Sequence, residues 1–211
     1  MNKQTTIYII RHGQAEFNRR HIIGGTLEPN SLTAKGKEQA RKLGKKFKNI
    51  KIDKIYSSDL LRAQKTAEII ASMKNLPVEI NSLLRERSWG MLQGKTFDEA
   101  KKEYPEAFLR ESKIGGEEAL DFKYVEDMES LRHAILRLKR FLEMIDKNQT
   151  GKIVLAVTHF DIMIGYLVYL RLGTYRDLMN ADLDYAGYYK LVRNEKIFIV
   201  EKIVGLRIKD H

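Results

Sequence analysis

Short apolar runs rich in β-branched residues alternate along this chain with segments of helical periodicity, and that alternation constrains the fold more than any other feature. Thr6 to Ile10, Lys54 to Tyr56, Pro77 to Ile80 and Lys152 to Val157 read as brief strands. Near-continuous apolarity in such runs is what a strand buried on both faces requires. Between them, Ala40, Leu43, Phe47 and Ile50 recur at helical spacing behind Thr33 as N-cap. Ser57-Ser58-Asp59 is a capping signature ahead of a helix from Leu60 to Met73, and Phe97 to Leu109 is helical apart from a break at Pro105. The series Val125, Met128, Leu131, Ile135, Leu138, Leu142, Ile145 is the clearest amphipathic helix. Ile162 to Leu172 is a further apolar helix, and Tyr188 to Val192 with Lys196 to Ile203 form a closing hairpin joined by Arg193-Asn194-Glu195. Strands alternating with helices predict an α/β fold in three layers, α/β/α, around a mainly parallel central sheet, with ligands at the carboxyl ends of its strands. His12 and His159 both stand at such ends.

No repeat, low-complexity tract or Pro/Gly/Ser-rich linker divides the 211 residues, and this length suits a single domain spanning 1–211. The lack of cysteine excludes disulfides, thiolate nucleophiles and Cys-based metal centres. No cluster has metal-ligand spacing, so no metal and no cofactor is expected. The longest apolar stretch, Ile162 to Leu170, is less than half of the roughly 20 residues that a membrane helix needs. The opening residues MNKQTTIYII lack both a long apolar core and a small-residue cleavage site, so a cytoplasmic protein without membrane contact is the default. The 38 Lys and Arg against 28 Asp and Glu leave +10, which suits an acidic or phosphorylated substrate, nucleic acid, or a solvated basic face. The segment Lys35 to Lys51 alone, with eight basic residues and one acid, supplies +7 of that charge. Its apolar stripe packs inward, so the charge is the outer face of a helix and argues for an anionic ligand less than the total suggests.

The residues with chemical potential are Arg11-His12-Gly13 after the first strand, Asn18, Gly24-Gly25-Thr26, Arg62 within Ser57-Ser58-Asp59-Leu60-Leu61-Arg62, Glu86 within Leu84-Arg85-Glu86-Arg87, and Thr158-His159-Phe160. Taken singly, each has an ordinary role: the arginines as surface ion-pair partners, Glu86 as a solvated carboxylate, His159 as a satisfied core histidine, the glycines as turn formers. As an ordered set they closely resemble the histidine phosphatase superfamily, the phosphoglycerate-mutase-like enzymes with an Arg-His-Gly motif. The resemblance runs from Ile7 to about His159, with a compatible hairpin beyond.

That resemblance implies a phosphoglycerate-mutase-like fold and a metal-independent phosphomonoesterase. His12 is then the nucleophile that forms a phosphohistidine, with its other ring N–H held by a carbonyl near Gly13. Arg11 and Arg62 are the phosphate forks, His159 a further donor, and Glu86 the general acid and base. Asn18, Gly25, Thr26 and Phe160 are the expected substrate contacts. Residues 95–125 are the expected substrate cap, where Lys95, Lys101, Lys102, Arg110 and Lys113 predict a cationic surface that accepts many anions. Phe160-Asp161 departs from the small residues that relatives usually carry after the second histidine, which predicts a reshaped entrance. Arg132 and His211 receive no role, His133 reads as structural or solvated, and His21 is a minor candidate for ligand contact. The expected partner is a small phosphorylated substrate, with a homodimer allowed and no nucleic acid. Phosphoglycerate mutase and a sugar-bisphosphate phosphatase of the fructose-2,6-bisphosphatase type are the rival enzymes; mutases in the family usually carry additional enclosing chain, which favours hydrolysis here. An inactive scaffold or nucleic-acid binder is the rival outside catalysis, disfavoured because basic and aromatic residues do not interleave as single-strand binders require.

Overall fold

The computed structural model describes residues 4–195 and 197–208. Lys196, at the expected start of the last strand, and His211 lie outside the described residues. Six strands, β1 (Thr6–Arg11), β2 (Lys54–Ser57), β3 (Val78–Ile80), β4 (Ile153–Thr158), β5 (Asp182–Asn194) and β6 (Ile197–Arg207), form one sheet in the order β3-β2-β4-β1-β5-β6. The pairings among β1 to β4 are parallel, and β5 and β6 continue the sheet antiparallel from β1. The helices are α1 (Glu16–Arg19), α2 (Ala34–Lys46), α3 (Leu61–Ser72), α4 (Phe97–Glu103), α5 (Pro105–Glu111), α6 (Leu131–Asn148), α7 (Phe160–Tyr169) and α8 (Tyr175–Met179).

The period of two in β1 divides the core. Tyr8 and Ile10 face one way, into a cluster with Leu43 and Phe47 near α2 and Ala63, Ala67 and Ile70 of α3. Ile7 and Ile9 face the other way, into a cluster with Leu131, Ile135, Leu138 and Phe141 of α6 and Ile162 and Met163 of α7. The expected three-layer α/β/α fold is therefore what the chain adopts. A third cluster, Ile23, Trp89, Leu92, Ala100, Val125 and Met128, lies away from the sheet and holds α4 and the loops around it.

Several boundaries differ from expectation, each for a local reason. The amphipathic helix begins at Leu131, where Ser130 accepts the His133 N–H at 3.2 Å; Val125 and Met128 belong to the third cluster, and their spacing only continued the period. Ser57 and Ser58 do not cap α3. Its N-cap position is Leu60, and the Glu28 carboxylate accepts the Leu61 N–H at 3.0 Å from a loop 33 positions away. Helix α7 starts two residues early, with His159 at its N-cap position, and the hairpin strands are longer than predicted because β5 pairs with both β1 and β6. The short helices α1 and α8 were not expected, since neither is long enough to show a period.

Candidate active site

Strand register places the two histidines. Arg11 of β1 lies opposite Thr158 of β4, so the residues that follow, His12 and His159, leave the sheet side by side, and the His12 N–H donates to the Thr158 carbonyl at 3.1 Å. Their ring centroids are 5.1 Å apart. The turn after His12 passes directly against the start of α2: a Cβ on Gly36 would sit 2.0 Å from the Gln14 carbonyl oxygen, and one on Gly13 would sit 2.4 Å from the Gly36 oxygen. Only glycine at both positions permits this approach. Thr66 of α3 joins the two motifs, because its hydroxyl accepts the Gly13 N–H at 3.0 Å and donates to the Arg62 carbonyl at 2.8 Å.

The ring of His12 has one assignable tautomer. Nδ1 is 2.7 Å from the Gly13 carbonyl, which can only accept, so Nδ1 carries the proton. The Nε2 lone pair then accepts Arg62 Nε–H at 3.1 Å. Burial, then Arg62 and Arg11, hold the His12 pKa well below its ordinary value. His159 is likewise depressed, by burial and then by Arg62, so burial and the arginines, not a charged His159, keep His12 unprotonated. His159 Nε2 lies 2.8 Å from the Ser58 hydroxyl.

Arg62 also donates from Nη2 to the Gly25 carbonyl at 2.7 Å, and Gly25 presents that oxygen from a left-handed conformation, φ 46°. Arg11 lies between two aromatic rings, 4.1 Å from the centroid of Tyr185 and 4.8 Å from that of Phe160, and donates to the Leu183 carbonyl. Three buried nitrogens here have no hydrogen-bond partner: Arg11 Nε, Arg62 Nη1 and His159 Nδ1. Such groups cost roughly 1–3 kcal/mol each when left unsatisfied, so their concentration around one histidine marks a place for an oxygen-rich anion.

Glu86 is buried, and its two carboxylate oxygens accept the backbone N–H groups of Arg87 at 3.0 Å and Asp161 at 3.1 Å. Burial, then the negative charge of Asp161, raise its pKa to about 7. The protein itself supplies that shift. Asp161 does not reshape the entrance by standing free in it. Its Oδ2 accepts Arg87 Nε–H at 2.7 Å and the Trp89 indole N–H at 2.8 Å, which fixes both side chains, with the Arg87 guanidinium 4.5 Å from the Trp89 ring centroid. Thr158 completes the frame by donating its hydroxyl to the Leu84 carbonyl at 2.7 Å, tying the Glu86 loop to the end of β4.

A cleft of 490 Å³ brings together Arg11, His12, Asn18, Gly25, Arg62, Glu86 and Phe160 from the expected set. Thr26 is not among its lining residues: its N–H and hydroxyl both donate to Gln93 Oε1, at 2.7 and 3.0 Å. The buried His159 reaches the site through its ring contact with His12. His21 is exposed and outside the cleft, His133 pairs with Glu129 at 2.8 Å, and Arg132 pairs with Asp121 at 2.8 Å. The expected cap segment, residues 95–125, brings a larger correction: Lys101, Lys102, Arg110 and Lys113 are exposed, Lys95 pairs with Glu103 at 2.6 Å, and none of the five lines the cleft. Sequence reading missed the framing residues Glu28, Ser58, Thr66, Arg87 and Tyr185. Ser58 and Arg87 stood within quoted motifs close to a catalytic candidate; Glu28, Thr66 and Tyr185 act across separations that no local pattern encodes.

A model of the histidine phosphatase superfamily (branch 1) matches residues 7–204. The chain belongs to the histidine phosphatase superfamily. Among relatives of this histidine phosphatase, phosphoserine phosphatase 1 of Hydrogenobacter thermophilus is 33% identical over 153 residues, covering 72% of this chain and 70% of that one. A Salmonella arizonae protein named "Probable phosphoglycerate mutase GpmB" is 32% identical over 167 residues, 79% and 74% of the two chains. The structure of phosphoglycerate mutase from Bacillus anthracis superposes with a TM-score of 0.83 at 25% identity, covering 97% of this chain and 94% of that one. The phosphoglycerate-mutase-like fold is thereby met, and the expected enzyme class, a phosphoric monoester hydrolase, agrees with the phosphatase names among the relatives. No helix among the described residues is long and apolar enough to cross a membrane.

Proposed function

We propose that this histidine phosphatase hydrolyses phosphomonoesters of small metabolites through a phosphohistidine on His12, with residues 95–125 as the substrate cap. The observation that carries the reading is the set of buried nitrogens without a hydrogen bond on Arg11, Arg62 and His159 around an unprotonated His12 Nε2, Arg62 Nη1 having only an ion-pair contact with Glu28 at 3.6 Å. A phosphoryl group takes its equatorial oxygens to those nitrogens, and Arg62 Nε–H passes from Nε2 to one of them, which frees the lone pair for in-line attack. The P–N bond forms as the ester P–O bond breaks, and the Glu86 carboxyl gives its proton to the departing alkoxide. Water then attacks phosphorus, the P–N bond breaks, and the Glu86 carboxylate takes the water's proton, restoring the starting state. A pKa of about 7 lets one group serve both directions near neutral pH. Asn18 and the backbone of Phe160 are the remaining candidate substrate contacts.

Phosphate release from a panel of phosphomonoesters, measured with and without chelator beside His12→Ala, tests this. Chelator-resistant release that falls at least ~10³-fold in the variant is expected; release that survives His12→Ala would sink the mechanism. Adding 3-phosphoglycerate with 2,3-bisphosphoglycerate and following the 2-isomer separates hydrolase from mutase, with phosphate release outpacing isomerisation expected.

A further inference from the structure

Beyond the phosphate end, the cleft changes character. Its walls are Ile22, Trp89, Phe97, Phe108 and Met179, and its remaining polar lining includes Glu111, Tyr124, Tyr175 and Asn180. The aromatic wall is ordered: Trp89 meets Phe97 edge-on at 5.5 Å and stacks on Tyr124 at 5.7 Å, and Tyr124 meets Phe108 at 4.5 Å. Asp161 fixes the Trp89 ring through its indole N–H. The Glu111 carboxylate lies beside the Tyr175 and Tyr124 hydroxyls, both of which burial keeps protonated.

The distribution of charge decides what such a cleft accepts. Among the described residues, the only cations that line it are Arg11 and Arg62, and both belong to the phosphate end. A second anionic group on the substrate would find no cationic partner there and would face Glu111. A cation would find a carboxylate together with ring faces whose quadrupoles attract it. Resting on the phosphatase reading above, we propose that the aromatic wall and Glu111 together select phosphomonoesters of an aromatic alcohol that bears an ammonium group and no second anion. Glu111 is the specificity-determining carboxylate. The aromatic part of the leaving group packs against Phe97, the most exposed ring of the wall, and Phe108, and the ammonium donates to Glu111.

Three substrates with leaving alcohols of similar basicity isolate this preference: 4-(aminomethyl)benzyl phosphate, benzyl phosphate and 4-carboxybenzyl phosphate. The wild-type enzyme is expected to rank them in that order by kcat/KM, with about tenfold or more between first and last. Glu111→Gln is expected to compress the spread, mainly through KM, and Glu111→Lys to favour the carboxylate. Equal or better turnover of the carboxylate by the wild-type enzyme overturns the inference without touching the phosphatase reading, as does a spread unchanged in Glu111→Gln. Failure to release phosphate from any of the three, and from every simple phosphomonoester, overturns both. The wild-type ranking stands by itself, so an unstable variant does not blunt the test.

Discussion

Glu86 and Asp161 show how a single side chain acquires its role. A free glutamate would be ionised at neutral pH and useless as an acid; here burial and then Asp161 raise its pKa to about 7. Because the first step needs the acid form, kcat/KM should fall as pH rises through about 7. The acid limb should come from His12 only well below its ordinary value, and from substrate phosphate near pH ~6. Glu86→Gln should remove the limb near 7 and lower kcat by roughly 10²- to 10⁴-fold on substrates with poor leaving groups. Asp161→Asn keeps an oxygen for Arg87 and Trp89 but deletes the neighbouring charge, so Glu86 ionises more readily. The alkaline limb should then move to lower pH, by up to about one unit. A limb that stays in place would show that burial alone sets the acidity of Glu86.

Among the elements, the contact between the β1 turn and α2 is the most demanding. A methyl group at Gly36 meets backbone, not a movable side chain, 2.0 Å away. Gly36→Ala should therefore cost roughly 1–3 kcal/mol or more in urea unfolding, and lower kcat/KM because the Gly13 carbonyl that orients His12 must shift. Thr33→Ala, which removes the cap on the Gly36 N–H at 3.0 Å and the bond from the Thr33 hydroxyl to Gln14 Oε1 at 3.0 Å but adds no atom at the close approach, should cost about 1 kcal/mol. Equal losses from the two would mean that the close approach carries no strain. Sequence patterns located α2 and its cap, because a cap and an apolar stripe are local. They misassigned the cap of α3 and the start of α6, because the partners that decide those ends come from elsewhere: Glu28 caps α3, and the Trp89 cluster claims Val125 and Met128.

For the whole molecule, the net charge and the site are separate matters. Most of the +10 lies on the segment Lys35 to Lys51, and the exposed Lys45 stands nine residues beyond Gly36, about 13 Å along the helix. That exceeds the ~8 Å Debye length at physiological salt. Lys42→Glu with Lys45→Glu should therefore change kcat/KM by less than about twofold at ~0.15 M salt; a tenfold loss would reveal long-range steering of the substrate. By itself, the sequence determined the alternation of strands and helices, the three layers, and the stations of His12 and His159 at strand ends, because burial on two faces and helical periods are written into neighbouring residues. Only the tertiary structure decided that Glu86 is a weak enough acid, that burial and the arginines rather than His159 depress His12, and that residues 95–125 turn their lysines outward while Phe97, Phe108 and Tyr124 line the cleft. Those properties depend on burial and on charges brought together from segments as far apart as Glu86 and Asp161, and no local pattern specifies which face of a cap meets the cleft.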